Sequence, residues 1–269
     1  MWHQEAEHWA DPEAGVRPDS VRGMTSEQAI ARRAFLRRAG AAGLVVAGAS
    51  TLGSWTGVAG AGVLTAPAPN DAAADPDAAL ARLMRGNRRF VRGKPKNPVD
   101  SDERRRASAG TQTPFAAVLA CADSRVPPEI IFDQGLGDLF VVRVAGNIAG
   151  PDEIASLAYA AEHVGVDLIL VLGHEACGAV KTTLEVVDGD ADPGEYATLT
   201  DAIAPAVEAA QHSGASGAEL LPASVEQNVR LVTAQVPERS SGIAAEIQRR
   251  EIAVVGAVYQ LEDGRVALL

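Results

Sequence analysis

Four nearly unbroken apolar runs mark the chain, at residues 115–120, 139–144, 168–172 and 252–261. None alternates strictly between apolar and polar positions, so each predicts a strand covered on both faces. Between them the apolar residues recur at helical spacing. Leu80, Leu83, Met84 and Phe90 form a stripe that predicts a helix over 78–90, with Asp75 or Asp77 as its cap. The polar stretch that follows, with Gly93, Pro95 and Pro98, reads as irregular. Pro127-Pro128 breaks the chain before a single helical turn at 129–132. Residues 154–164 read as helix, and another helix follows Cys177 with Val180 and Leu184 inward. After a loop at 188–194, helices fit 199–211, 224–236 and 243–249. Asp263-Gly264 then turns the last apolar run into a short strand ending at Leu269.

Strands of this kind alternating with helices predict an α/β fold. Its core is a mainly parallel β-sheet, about four parallel strands plus an antiparallel edge strand, flanked by helices. The expected organisation is an N-terminal extension and linker over residues 1–75 and one folded domain over 76–269. In such a sheet, ligands bind at the carboxyl ends of the strands. Cys121 directly follows the first apolar run and His174 follows the third, so two distant pieces of sequence meet at one edge of the sheet.

Charge narrows the partners. The formal net charge is −11, and residues 1–66 hold six Arg against six Asp or Glu, so the body carries all of the imbalance. Nucleic acid would be repelled over most of such a surface. The ten Lys and Arg within residues 82–106 read as a solvated helix face and a subunit-contact arm.

The N-terminal segment reads as an address. Ala31-Arg32-Arg33-Ala34-Phe35-Leu36-Arg37-Arg38 precedes residues 39–64, which carry no charge and are rich in Gly and Ala. A basic stretch ahead of an apolar one is the layout of an export signal. The Arg32-Arg33 pair ahead of Phe35-Leu36 resembles a twin-arginine signal, with Ala31 in place of the usual Ser or Thr. A membrane anchor is the competing reading, disfavoured because Gly and Ala gain little from lipid. The expectation is export across the cytoplasmic membrane by the twin-arginine machinery, to a periplasmic or extracellular location, with a membrane tether if the signal is not cleaved. Small-residue cleavage sites occur near 59–61, 66–68 and 72–74, and Met24 offers a second start ahead of the arginine pair.

The chemistry rests on two short strings, Cys121-Ala122-Asp123-Ser124-Arg125 and Gly173-His174-Glu175-Ala176-Cys177-Gly178. Two thiolates and one imidazole are a standard zinc set, and three protein ligands leave a fourth position open, as catalytic zinc requires. Asp123 can occupy that position or, paired with Arg125, leave it to water. Zinc lowers the pKa of such a water toward neutrality and makes it a nucleophile. Arg125 beside Asp123 favours the ionised carboxylate, which can orient the attacking group. A Cys121–Cys177 disulfide is the competing reading for an exported protein, but it leaves His174, Asp123 and Arg125 without a shared purpose. His163 reads as a capping or surface residue, Glu175 as solvated or paired, and His3, His8 and His212 have no role. Gly146-Asn147 reads as a tight turn, as part of a pocket wall or as a subunit contact.

The strings Cys-Ala-Asp-Ser-Arg-Val and Gly-His-Glu-Ala-Cys-Gly-Ala closely resemble the two signature segments of β-class carbonic anhydrases. The stretch from Phe132-Asp133-Gln134-Gly135 to Arg143-Val144-Ala145-Gly146-Asn147 is similar to the segment between them. The resemblance spans residues 78–261. It implies one Zn2+ per chain with Cys121, His174 and Cys177 as ligands, and Asp123 with Arg125 as the catalytic dyad, Asp123 also being able to bind the metal. It implies reversible hydration of carbon dioxide to bicarbonate and a homodimer or higher homo-oligomer. Two alternatives share the site: a zinc hydrolase of carbonyl sulfide or carbon disulfide, and a non-catalytic exported zinc-binding protein.

Overall fold

A computed structural model of the chain describes residues 75–96, 102–249 and 251–269. The segment read as an export signal, with Arg32-Arg33 and its cleavage sites, lies outside the described residues, as do His3, His8 and Pro98. Among the described residues, no helix is long and apolar enough to cross a membrane.

The strands are β1 (Ala116–Cys121), β2 (Leu139–Val144), β3 (Leu168–His174), β4 (Ala253–Tyr259) and β5 (Val266–Leu268), ordered β2-β1-β3-β4-β5 in one sheet. The first four are mutually parallel and β5 pairs antiparallel with β4. The expected architecture of four parallel strands and one antiparallel edge is therefore the observed one. β1 and β3 are buried at every position, as their unbroken apolar runs require. Successive side chains on a strand point to opposite faces, and each face has its own core. Ala117, Leu119 and Cys121 of β1 and Ile169 and Val171 of β3 share one cluster; Ala116, Val118, Ala120, Leu168, Leu170 and Leu172 share the other.

The helices are α1 (Pro76–Val91), α2 (Asp102–Ser108), α3 (Pro128–Ile131), α4 (Pro151–Tyr159), α5 (Gly178–Val187), α6 (Ala197–His212), α7 (Leu220–Arg239) and α8 (Ser241–Gln248). The Asp75 side chain accepts from the Ala78 N–H at 2.7 Å and Pro76 follows it, so α1 starts where a capping carboxylate and a proline with no N–H to spare set the start. Its Leu83 packs on the second cluster, while α6 and α7 cover the first through Ile203, Val207, Val225, Val229 and Val232. The helix expected over 154–164 is α4 continued by a π-turn, Ala160–Val164, which closes on Gly165 in the left-handed region.

Two readings change. α2 falls in a stretch read as irregular: it buries no residue, so no apolar stripe announces it. The basic run is also not simply a solvated arm. Asp138, 1% exposed, pairs with Arg82 at 2.8 Å and Arg104 at 2.6 Å, and the buried Asp133 pairs with Arg89. Arg82 also lies over the Phe115 ring, 3.9 Å from its centroid. These arginines serve buried carboxylates of the segment ahead of β2.

Candidate metal centre

Three elements end within reach of one another. Cys121 is the last residue of β1, His174 the last of β3, and Cys177 sits at the cap of α5. All three are buried, and their ligand atoms lie within 4.8 Å of one another. The turn between His174 and Cys177 passes through Ala176 at φ +52. Glu175 ties that turn to the neighbouring strand: its N–H donates to Tyr259 O at 2.9 Å and its carboxylate accepts from the Leu261 N–H at 3.1 Å. Glu175 is thus paired and does not join the ligand set.

The sulfurs of Cys121 and Cys177 stand 4.0 Å apart, about twice a disulfide bond length. The disulfide reading fails on that distance. The His174 ring is oriented by its own turn, with Nδ1 at 2.9 Å from Glu175 O. A carbonyl accepts only, so Nδ1 carries the proton and Nε2 presents a lone pair. Nε2 is buried with no hydrogen-bond partner. An orphaned imidazole nitrogen facing two thiols is a costly arrangement in a protein core. A dication with soft and borderline donors accounts for all three atoms, and two sulfurs with one nitrogen suit zinc.

The thiols also divide their proton. The Cys121 thiol is pulled down, chiefly by its hydrogen bond with Cys177, with the Gly146 N–H adding to it against burial. Cys177 is pushed up, by the same bond and by burial. Two buried sulfurs sharing one hydrogen bond make an ionised pair in this pocket costly without a cation beside them.

Asp123 stands beside the cluster, its Oδ2 3.9 Å from His174 Nε2. Arg125 holds it three ways: backbone N–H to Oδ1 at 2.9 Å, Nε to Oδ1 at 2.9 Å and Nη2 to Oδ2 at 2.7 Å. This grip holds the Asp123 carboxyl well below the usual carboxylate range and raises Arg125 in turn. The structure thus brings together all five residues singled out in the sequence.

One further part of the site, Arg143, was not foreseen. Arg143 on β2 donates from Nε to Cys121 O at 3.0 Å and from Nη2 to Asp123 O at 2.5 Å, which fixes the loop carrying the ligand and the dyad. Its signal is a cation inside an otherwise apolar strand run. The Gly146 N–H donates to Cys121 Sγ at 3.3 Å, so Gly146-Asn147 is a turn that also touches the site. His163 packs against Tyr159 with its ring tilted by 47° and the centroids 5.3 Å apart, and His212 Nδ1 meets Glu208 O at 2.7 Å; neither joins the cluster.

Comparison with known proteins agrees with this geometry. A family model described as carbonic anhydrase matches residues 116–266. Carbonic anhydrase 2 of Mycobacterium tuberculosis is 41% identical over 195 residues, covering 72% of this chain and 93% of the relative. A carbonic anhydrase of Mycolicibacterium smegmatis is 42% identical over 195 residues, with the same coverage of 72% and 93%. Among solved structures, the β-carbonic anhydrase CcaA superposes with a TM-score of 0.55 at 26% identity, over 70% of this chain and 86% of that one.

Proposed function

The chain belongs to the carbonic anhydrase family, in its β class, and we infer from that membership and from the site that it catalyses the reversible hydration of carbon dioxide to bicarbonate and a proton. Its metal is zinc. In this reading Cys121, His174 and Cys177 hold one ion per chain, and Asp123 with Arg125 forms the catalytic dyad. The observation that carries the reading is the buried cluster itself: two thiols and an orphaned imidazole nitrogen within 4.8 Å, beside a carboxylate clamped by arginine.

The metal supplies Lewis acidity, which lowers the pKa of a water toward neutrality and so makes a nucleophile available at ordinary pH. The rest of the chemistry falls to the chain's own side chains. With Asp123 on Arg125, the chain offers three ligands and leaves the fourth position to solvent. Ionised Asp123, beside the three ligands, would accept a hydrogen bond at a carboxylate oxygen and so orient the nucleophile that the metal would supply. Arg125 keeps that carboxylate ionised and draws it away from the ligand position. Carbon dioxide, small and apolar, needs a dry approach, which the buried ends of β1 and β3 favour.

Two further features complete the proposal. β2 is an edge strand whose Phe140 and Val142 are only half-buried. An apolar edge with unpaired backbone groups favours association with a second copy, so the protein acts as a homodimer or a larger homo-oligomer. The Arg32-Arg33 pair and the apolar segment behind it support export through the twin-arginine route, and changing both arginines to Lys should retain folded protein in the cytoplasm. Export continuing undiminished in that variant would refute the route.

Zinc analysis and stopped-flow hydration on one purified sample test the catalytic reading. The expected result is about one zinc per chain, with hydration activity that disappears on chelation and returns with zinc. Zinc without turnover would leave a binding protein. Hydrolysis of carbonyl sulfide or carbon disulfide without carbon dioxide hydration would reassign the substrate.

A further inference from the structure

Asn228 lies on the face of α7 that packs against the sheet, among Val225, Val229 and Val232, and is 1% exposed. Its Nδ2 donates to Gly146 O at 2.9 Å, across 82 positions of sequence, and its Oδ1 has no partner among the described residues. A buried amide that leaves its oxygen unpaired is a poor contributor to stability, because an apolar side chain of similar shape avoids the desolvation cost. The single bond it makes is therefore the clue to its role.

That bond ends on a turn that touches the metal centre. Gly146 sits at φ 70, ψ 14, a region open to glycine. A Cβ there would come within 2.6 Å of Ile203 Cδ1 and 3.2 Å of Ala179 Cβ. Backbone angle and close packing both favour glycine here, yet glycine gives the turn no stiffness of its own. On its carbonyl side the turn is anchored by Asn228; on its amide side the N–H points at Cys121 Sγ, 3.3 Å away.

We propose that Asn228 is a positioning residue for the metal centre, holding the Gly146 turn so that its N–H donates to the Cys121 sulfur and sets the donor strength of that ligand. Asn228 touches neither substrate nor metal and acts through the backbone. The inference rests on the reading of Cys121 as a zinc ligand. A hydrogen bond to a thiolate withdraws electron density from sulfur, and partners of this outer kind tune both ligand geometry and metal acidity. Without the anchor, the glycine turn can rotate its N–H away, leaving the thiolate more electron-rich and less well placed.

The test uses the full chain loaded with cobalt(II), whose sulfur-to-metal charge-transfer absorption reads the thiolate directly, and zinc affinity by chelator competition. Asn228→Leu should shift the band to longer wavelength and weaken zinc binding by about 10- to 100-fold. The acid limb of kcat/KM should move to higher pH, while the melting temperature holds or rises. Asn228→Ala should shift the band in the same direction and serves if the Leu variant does not fold. Val232→Ala, which loosens the same helix without touching the bond, should leave the band in place. Bands and affinities in both Asn228 variants equal to those of the unsubstituted protein would overturn the inference, as would an equal shift in Val232→Ala. Absence of any thiolate band in the unsubstituted protein would instead overturn the reading of Cys121 as a ligand, and this inference with it.

Discussion

At the residue scale, Arg125 decides what Asp123 does. Arg125→Ala should keep zinc near normal, because Cys121, His174 and Cys177 are untouched, but free Asp123 to take the ligand position. Hydration should fall by a factor on the order of 10² or more. Asp123→Ala should lose activity similarly while water keeps access to the metal; zinc content and rate on both variants check the pair. The sign of the pH effect follows from the lowered Asp123 carboxyl. The pair is intact above the ordinary carboxylate range and is lost only as pH falls through the depressed value. Asp123 should therefore place no inflection between pH 5 and 9 in the native profile, and the rise in rate there belongs to ionisation of the nucleophile. Zinc should also stabilise the fold, since the unfolded chain has no preformed site. At free zinc about 100-fold above Kd the gain is about 2.7 kcal/mol, and calorimetry should find it in the unsubstituted protein and much reduced in His174→Ala. These five residues were legible because each string places its donors at fixed short spacing. Gly146 was legible as a turn or pocket wall but not as a donor to sulfur, and the roles of Arg143 and Asn228 were not legible, because these roles arise from contacts across 20 to 82 positions. A polar residue amid the valines of α7 was the one available sign of Asn228.

At the scale of elements, legibility followed burial. β1 and β3 were readable because every position is buried, and α1 because its stripe and capping Asp75 coincide. α2 escaped because a seven-residue helix that buries nothing leaves no period to find. The partners of the basic run escaped for a related reason: Asp133 and Asp138 sit in a loop, and only the folded chain sets them against Arg89, Arg82 and Arg104. The packing of α1 yields a test. A Cβ at Gly86 would overlap the Phe132 carbonyl oxygen, and backbone cannot move aside as a flexible side chain can. Helix propensity favours alanine over glycine by about 1 kcal/mol, but the overlap should dominate. Gly86→Ala should destabilise the protein by about 1–3 kcal/mol, read as a lower urea midpoint. A stabilised variant would mean that α1 does not pack this closely.

At the scale of the whole molecule, an acidic body of net charge −11 bears on pH stability. Asp167, just ahead of β3, has its carboxyl pushed up, first by burial and then by the charge of Asp75. A raised carboxyl contributes stability that is present below its unfolded value and lost as pH rises through the folded value. At neutral pH its charge is a liability, so Asp167→Asn should unfold at higher urea at pH 7 and match the native protein near pH 3. Solvent screening limits the gain to less than about 1 kcal/mol. The same long-range architecture governs when the metal can arrive. The sulfurs come from opposite ends of a stretch 56 positions long, and they meet only after β1 has paired with β3 and α5 has docked beside them. A half-folded chain can offer His174 and Cys177, neighbours in sequence, but not the full set. Full coordination thereby requires the finished sheet, so a chain that binds zinc with all three donors reports by that fact that β1, β3 and α5 are in place.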